Sequence, residues 1–298
     1  MTRKSRESFP AAAQRTACTK TILPYTLDYM GIILIGSPFI MSSFVLNNQL
    51  RYQGSANYAM VAIVIGAIIG YLIGSIPFAL IISKIFYKTD VRKLGSGSLG
   101  SANVGRTLGP LAGVVAMLID LTKAGIPALI LYKIAESNLL NQIQSSNDTL
   151  ALTNQLTHLS TVFMVTGLAS CIGHCYPIFA NFKGGKAVAS IAGFLIVMNY
   201  KLAIVAFSTY VIVLLITKVI SLCSISSAIS TLIVSFIPFF KDCPLFSHNE
   251  LSNQTSLIIY HLTIILYALL LIYRHLPNIK RLIKGEEKKF RFEHKSRN

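Results

Sequence analysis

Long runs of apolar residues, separated by short polar segments, make up most of the chain. A helix that crosses a bilayer needs about 20 mainly apolar residues, and fewer where packing or bilayer thinning helps. Eight runs are compatible with this length. The pattern predicts an all-α polytopic membrane protein with about seven core transmembrane helices and an additional N-terminal one. The runs lie at residues 29–46, 57–86, 111–133, 160–180, 186–199, 202–217, 221–240 and 256–273.

Composition agrees with this class. Hydrophobic residues are 53% of the chain and charged residues 13%, whereas a soluble domain carries about 25% charged residues. The five cysteines include no C-x-x-C pair, and the carboxylates form no cluster that suits a metal. We therefore expect no disulfide framework, no metal site and no cofactor.

The net charge of +16 is concentrated in the polar segments between and beyond the apolar runs. With a cytoplasmic N-terminus, 22 of the 27 lysines and arginines lie in cytoplasmic segments, in agreement with the positive-inside rule. The segment 134–159 contains no cation and is predicted to be an external loop. Cations placed in this way favour anionic lipid headgroups or phosphorylated substrates as partners, and not nucleic acid.

The same pattern divides the chain into four parts. Residues 1–28 are a basic N-terminal lead, and residues 29–56 hold the additional transmembrane helix and its loop. Residues 57–285 form the main membrane domain, and residues 286–298 form a basic cytoplasmic tail.

The first of three polar clusters lies at residues 90–109, on the predicted cytoplasmic side. It holds five glycines together with the cations Arg92, Lys93 and Arg106. Glycine allows a positive φ and a close approach to a ligand, and successive backbone N–H groups in such a turn form an anion-binding concavity. The cluster therefore predicts a phosphate cradle. The alternative is a flexible basic loop between two helices.

The second cluster is the sequence Lys-Gly-Gly-Lys at residues 183–186, directly before a predicted helix. The N-terminus of a helix binds anions through its N–H groups and its dipole, and two lysines add positive charge. The spacing is not that of a Walker loop. The cluster predicts a second anion site, with a basic turn that only sets topology as the alternative.

The third cluster is Arg274, His275 and Asn278, where the last apolar run ends. Such residues also anchor helix ends at the membrane interface, and Asn278 after Pro277 also fits a turn. Because all three clusters share the predicted cytoplasmic side, we expect them to converge on one site.

Charged residues within the apolar runs are few. Asp120 and Lys123 are three residues apart on one helical face, which fits either a structural ion pair or a functional role. No histidine is followed five residues later by an aspartate, and no G-x-S-x-G sequence is present. Cations, backbone amides and hydroxyls therefore remain for the chemistry. That set suits two phosphorylated species and a donor that is already activated.

Together these motifs resemble the signatures of the acyl-phosphate-dependent glycerol-3-phosphate acyltransferase family (PlsY). Their order, spacing and membrane context agree with that family from about residue 57 to residue 290. The matching sequences are GSIPF at 74–78, DVRK-x-GSG-x-x-G-x-x-N-V-x-R at 90–106, G-H and F-K-G-G-K within 173–186, and Y-R-H with N-I-K-R-L within 273–285.

The resemblance implies transfer of a fatty acyl group from acyl phosphate to the 1-hydroxyl of sn-glycerol 3-phosphate. The products are lysophosphatidic acid and phosphate, in the first acylation step of phospholipid biosynthesis. It also implies a multi-pass protein of the bacterial inner membrane with a cytoplasmic active site, and it suggests the enzyme that forms acyl phosphate as a partner.

By position in the motifs, the resemblance also implies site residues, without deciding which of the two lysines contacts substrate or which group is the base. The implied catalytic residues are Ser96, Arg106, Lys183, Lys186, His275 and Asn278. The implied phosphate-binding residues are Gly95, Gly97, Gly100, Asn103, Gly184 and Gly185. The chain departs from the family pattern at Ser98, Ala102, Ala187 and Pro277.

The alternative function is a lipid or anion transporter with a phosphate gate at its cytoplasmic face. Such a protein is expected to carry charges near the midplane of several spans. Asp120 and Lys123 alone fit that description, whereas the three polar clusters lie at one interface.

Overall fold

The computed structural model describes residues 59–143, 149–240 and 254–289. All regular secondary structure in these ranges is helical, which confirms the all-α class. The expected N-terminal helix at 29–46, the lead before it and the tail beyond residue 289 lie outside the described residues. The α-helices in the described ranges are α1 (residues 59–74), α2 (Phe78–Tyr87), α3 (Ser101–Leu108), α4 (Pro110–Ile143), α5 (Thr149–Cys175), α6 (Val188–Met198), α7 (Tyr200–Thr217), α8 (Ile220–Ser235) and α9 (Gln254–Ile283).

Five stretches of the described chain are long and apolar enough to cross a membrane, and two further apolar helices, α6 and α8, are shorter. Together they correspond to the seven predicted core segments. With 11 residues, α6 is about 16 Å long, roughly half the thickness of a bilayer's hydrocarbon core. The five longer stretches are Ala59–Tyr87, Pro110–Ser137, Thr157–Ala180, Tyr200–Thr217 and Gln254–Ile283.

Three helices extend further than predicted. The segment 134–159 is not a long loop, because α4 continues to Ile143 and α5 begins at Thr149. Its helical parts contain no glycine or proline that would end a helix, and a polar composition alone does not do so. The last run continues through Pro277 to the end of α9. A proline removes one hydrogen bond of a helix, which membrane helices tolerate when neighbouring groups compensate.

Two predicted segments have more complex structures. The apolar run at 57–86 consists of α1 and α2, which are separated at Pro77, a residue without a backbone N–H. The cluster at 90–109 is a loop only in its first half, because its second half forms α3. Arg106 therefore lies on a helix that follows the glycine-rich loop.

Glycines allow several helices to pack with their backbones in contact. A side chain at Gly74, at the end of α1, would collide with the backbone of Ser170 on α5. A side chain at Gly193 on α6 would collide with the backbone of Leu121 on α4. Small residues are typical of interfaces between membrane helices, because they permit close van der Waals contact.

Three aromatic rings join α5, α6 and α9 in the core. The Phe163 and Phe194 ring centroids are 4.8 Å apart, and those of Phe194 and Tyr267 are 5.1 Å apart. On the outside, apolar side chains such as Leu215 and Ile216 are exposed and suited to lipid contact. The core thus holds the helices whose polar ends form the site described next.

Candidate active site

The side chain of Asn103 organises the glycine-rich loop at residues 94–100. Asn103 is 3% exposed. Its Nδ2 donates to the carbonyl of Ser98 at 3.0 Å, and its Oδ1 accepts from the backbone N–H of Ser96 at 2.8 Å. Gly95 has a φ of 58°, and a Cβ there would collide with Asn103. A buried amide therefore holds the loop in one defined conformation.

The backbone N–H groups of this loop are partly occupied. Those of Ser96 and Gly100 donate to the side chains of Asn103 and Ser98, and that of Gly97 donates to a carbonyl of the loop at 3.0 Å. Three N–H groups of the expected phosphate cradle are therefore hydrogen-bonded within the protein and are not available to a ligand. The exposed Ser96 remains a donor from this loop toward a ligand.

The second loop, residues 182–187, is held by side chains and backbone from α5 and α9. Arg274 donates two hydrogen bonds, from Nε at 3.1 Å and from a terminal nitrogen at 2.9 Å, to the carbonyl of Gly185. The carbonyl of His174 accepts from the N–H of Gly185 at 3.0 Å. Neither Gly184 nor Gly185 has room for a Cβ, because His174 occupies that space. The two glycines are therefore required for packing of the loop.

A chain of hydrogen bonds connects the second loop to α8, to α9 and to the segment after α9. Nζ of Lys186 donates to Oδ1 of Asn278 at 2.7 Å, and Nδ2 of Asn278 donates to Oε1 of Glu287 at 2.6 Å. The Glu287 carboxylate also accepts from Ser221 Oγ at 2.8 Å and from Arg281 Nε at 2.7 Å. Residues from two of the predicted clusters thus meet directly.

This network changes the ionisation of Lys186 and Glu287. Burial is the main cause that lowers the pKa of Lys186 to about 8, and three neighbouring arginines lower it further, while Glu287 opposes them. Burial raises the pKa of Glu287, but hydrogen bonds from Asn278, Arg281 and Ser221 outweigh it and bring the pKa below its ordinary value. Glu287 is therefore a carboxylate at neutral pH, and Lys186 loses its charge as pH rises through about 8.

A cavity of about 1200 Å³ extends from the loops into the space between α6, α7, α8 and α9. Away from the loops it is lined mainly by apolar side chains, among them the buried Ile191, Leu195, Ile264 and Leu271. Sites for small molecules usually have volumes of about 300–1000 Å³. A cavity of this size with one polar end suits a molecule with a charged head and a long apolar chain.

Eight of the twelve predicted site residues line this cavity, and four do not. Lys183 is exposed and lies outside the cavity wall, so Lys186 is the lysine that reaches the cavity. Gly184 and Gly185 belong to the packing of the second loop, and Gly97, with a φ of 70°, turns the first loop. The eight lining residues are Gly95, Ser96, Gly100, Asn103, Arg106, Lys186, His275 and Asn278.

His275 lies in the cavity wall and is buried. Its Nδ1 is 2.8 Å from the carbonyl oxygen of Leu271. A carbonyl only accepts hydrogen bonds, so Nδ1 carries the hydrogen, and Nε2 of the neutral ring is the proton acceptor.

The cavity wall also contains residues that the sequence did not assign to the site. Ser221, Arg281 and Glu287 are the hydrogen-bonded group described above, and Asp120 and His174 lie on the α4 and α5 side. The sequence signal for Glu287 is a pair of adjacent glutamates at 286 and 287 in a segment rich in lysine and arginine. In the described ranges, His, Cys, Asp and Glu side chains form no group of three that could hold a metal ion.

Comparison with known proteins extends these observations. A family model described as glycerol-3-phosphate acyltransferase matches residues 64–285. A glycerol-3-phosphate acyltransferase of Macrococcus caseolyticus is 35% identical over 227 residues, which cover 76% of this chain and 95% of that protein. One from Staphylococcus carnosus is 34% identical over 230 residues, which cover 77% of this chain and 98% of that protein.

Two solved structures are also similar. Both are crystal structures of PlsY, described as an integral membrane glycerol 3-phosphate acyltransferase. The glycerol 3-phosphate form has 32% identity and a TM-score of 0.60, over 77% of this chain and 96% of that chain. The lysophosphatidic acid form has 31% identity and a TM-score of 0.58, over 77% of this chain and 95% of that chain.

The match of the family model includes all three polar clusters and the helices that carry them. The curated relatives are matched over nearly their whole length. The chain therefore belongs to the glycerol-3-phosphate acyltransferase family.

Proposed function

We propose that this protein transfers a fatty acyl group from acyl phosphate to the 1-hydroxyl of sn-glycerol 3-phosphate, giving lysophosphatidic acid and phosphate. The main support is the cavity, which joins a cluster of cations to an apolar chamber between four helices. The similar solved structures are described as glycerol 3-phosphate and lysophosphatidic acid forms, which correspond to a substrate and a product of this reaction. The reaction is the first acylation step of phospholipid biosynthesis.

Arg106 and Lys186 are assigned to the phosphate of glycerol 3-phosphate. Both line the cavity, and the charge of Arg106 is one of those that lower the pKa of Lys186. A guanidinium binds phosphate through parallel hydrogen bonds, and an ammonium adds a point charge. Two neighbouring cations repel each other, so a phosphate dianion that binds between them also removes this repulsion.

The N-terminus of α6 and the first loop are assigned to the phosphate of the acyl donor. Val188 and Ala189, in the first turn of α6, line the cavity, and no side chain caps this helix end. The first N–H groups of a helix have no partner within it, and together with the helix dipole they favour an anion. The hydroxyl of Ser96 lies in the same cavity wall and adds a donor.

The chemistry needs little more than alignment and charge stabilisation. The oxygen of the 1-hydroxyl attacks the acyl carbonyl carbon, and the bond between that carbon and the phosphate oxygen breaks. Correct alignment of two bound reactants supplies about 7–11 kcal/mol of barrier reduction. The hydroxyl proton passes either to Nε2 of His275 or to an oxygen of a substrate phosphate.

The location of the site follows from charge. Because 22 of the 27 lysines and arginines lie in segments assigned to the cytoplasm, we place the site at the cytoplasmic face of a bacterial inner membrane. We assign the acyl-phosphate-forming enzyme as a partner, since its product enters this cavity.

The donor specificity tests the proposed function. Purified protein should form lysophosphatidic acid from glycerol 3-phosphate and a long-chain acyl phosphate, and should not use acyl-CoA, because the site is organised around phosphate and has no His-x4-Asp dyad. Product formation is measured by mass spectrometry with each donor. Turnover with acyl-CoA alone contradicts the proposal. Transport of phosphate into liposomes without acylation favours the transporter.

The two lysines of the second loop provide a matched pair of variants. Lys186→Ala and Arg106→Ala should each lower kcat/KM for glycerol 3-phosphate at least about tenfold, since a hydrogen bond to a charged group contributes about 1.5–3 kcal/mol. Lys183→Ala makes the same change of charge outside the cavity wall and should keep activity within about twofold. Steady-state kinetics on the purified variants decide this. Equal losses for both lysines would show that loop charge, and not contact, matters.

The pH dependence should reveal Lys186. Because its pKa is lowered to about 8, Lys186 carries its charge below that pH and loses it above. We expect kcat/KM for glycerol 3-phosphate, which reports the free enzyme, to fall as pH rises through about 8. In Lys186→Arg this fall should move to higher pH, because arginine stays charged. An unchanged profile in that variant would assign the titration to another group.

The orientation can be tested with single cysteines in a background without the five native ones. Lys183→Cys and Lys284→Cys should be protected from an impermeant thiol reagent in intact cells. Ser137→Cys, at the opposite end of the α4 span, should react. All three positions are exposed in the protein, so burial does not confound the comparison. Labelling of position 183 or 284 from outside would reverse the assigned orientation.

A further inference from the structure

Asp120 and Lys123 on α4 and His174 on α5 form a buried cluster beside the second loop. Nζ of Lys123 lies 3.3 Å from Oδ1 of Asp120 and 3.4 Å from Nδ1 of His174. The same carboxylate oxygen is 3.5 Å from Nδ1 of His174. The three residues are between 3% and 7% exposed. Ionisable groups at such places in membrane proteins are expensive and rare, and they usually serve a function.

His174 connects this cluster to the second loop. Its backbone carbonyl accepts the N–H of Gly185 at 3.0 Å, and its imidazole occupies the space that a side chain of Gly185 would need. The position of the ring therefore determines where the backbone of Gly185 lies. Asp120 and Lys123 both contact Nδ1 of this ring, so they determine its orientation.

Arg274 also fixes the backbone of Gly185. Its guanidinium donates two hydrogen bonds to the carbonyl of Gly185 and lies 4.9 Å from the centroid of the Tyr176 ring. The next residue, Lys186, reaches Asn278 and the cavity. A shift of His174 is therefore passed through one backbone peptide to the ammonium group that we assign to the substrate phosphate.

The cluster also lies near the first loop. Together with Phe78 and Leu99 it borders a cavity of about 10 Å³, about the space needed for one water molecule. Nζ of Lys123 lies 5.6 Å from the centroid of the Phe78 ring, and Ser170 donates to the carbonyl of Lys123 at 2.8 Å. Both glycine-containing loops thus adjoin the same buried charges.

We propose that Asp120, Lys123 and His174 are positioning residues, which orient the second loop so that Lys186 meets the substrate phosphate. This inference rests on the proposed function of the cavity. In an ion pair with a purely structural role, the two charges only have to neutralise each other. Asp120 and Lys123 in addition contact the imidazole of His174, which is packed against the second loop.

The first test removes both charges together. In the variant Asp120→Asn with Lys123→Met no uncompensated charge remains, so the protein should insert and purify as the wild type does. Its kcat/KM for glycerol 3-phosphate should nevertheless fall at least tenfold. As a control, Thr166→Val changes a buried polar residue of α5 outside the cluster and should keep activity within about twofold. Wild-type kcat/KM in the doubly neutral variant would overturn the proposal.

The second test remains valid even if the protein with both Asp120→Asn and Lys123→Met does not fold. His174→Gln should lower kcat/KM at least tenfold in the wild-type background, but less than threefold in the Lys186→Met background. The reason is that its effect passes through Lys186, and residues that act as a unit are not additive. Equal factors in the two backgrounds would show that His174 acts elsewhere or only stabilises the fold, and would overturn the proposal.

Hydrogen exchange separates failure of this inference from failure of the proposed function, because it needs no turnover. The Gly185 amide should exchange at least tenfold faster in His174→Gln and in the doubly neutral variant, while exchange in Thr166→Val stays as in the wild type. Absence of acyl transfer by the wild type with every donor refutes the proposed function. Active wild type with unchanged exchange at Gly185 in His174→Gln refutes the positioning role alone.

Discussion

The site depends on the hydrogen bond between Lys186 and Asn278, which joins two positions 92 residues apart in the chain. A partly buried ammonium needs a partner, because the surrounding protein and lipid cannot replace its hydration. Asn278 accepts this bond and donates a hydrogen bond to Glu287. The Glu287 carboxylate also accepts hydrogen bonds from Ser221 and Arg281. One acidic side chain thereby compensates Arg281 and Lys186 and ties the second loop to α8 and α9.

The packing of the helices creates the space in which this network lies. Glycines bring α4 into backbone contact with α6. Because α6 spans only about half of a bilayer core, the second loop and the N-terminus of α6 occupy the remaining part of its path. Irregular backbone at such a place is stable where it is buried in protein or lines a cavity. The short helix and the two loops therefore belong to one structural arrangement, and the cavity is its result.

The chemical character of the cavity follows from the same arrangement. Cations and a helix N-terminus lie at one end, and apolar side chains of α6 to α9 line the rest. An acyl donor that carries its own phosphate leaving group matches both halves, and alignment then supplies much of the rate. Asp120 also lies in the cavity wall, and the contacts of Asp120 and Lys123 with His174 connect their buried charges to the geometry of the second loop.

The sequence by itself determined the class, the seven core segments and the three polar clusters, because run length and glycine–cation composition are local properties of a chain. It also identified eight residues that line the cavity, Arg106 and His275 among them. The tertiary structure decided that Lys186 and not Lys183 reaches the cavity, that Asn103 accepts a hydrogen bond from the Ser96 amide of the first loop, and that Glu287 joins the site. The helices around 134–159 and Pro277 also extended beyond their apolar runs. These features depend on contacts between distant residues, or on helix stability beyond the membrane, and neither is encoded in a local hydrophobic pattern.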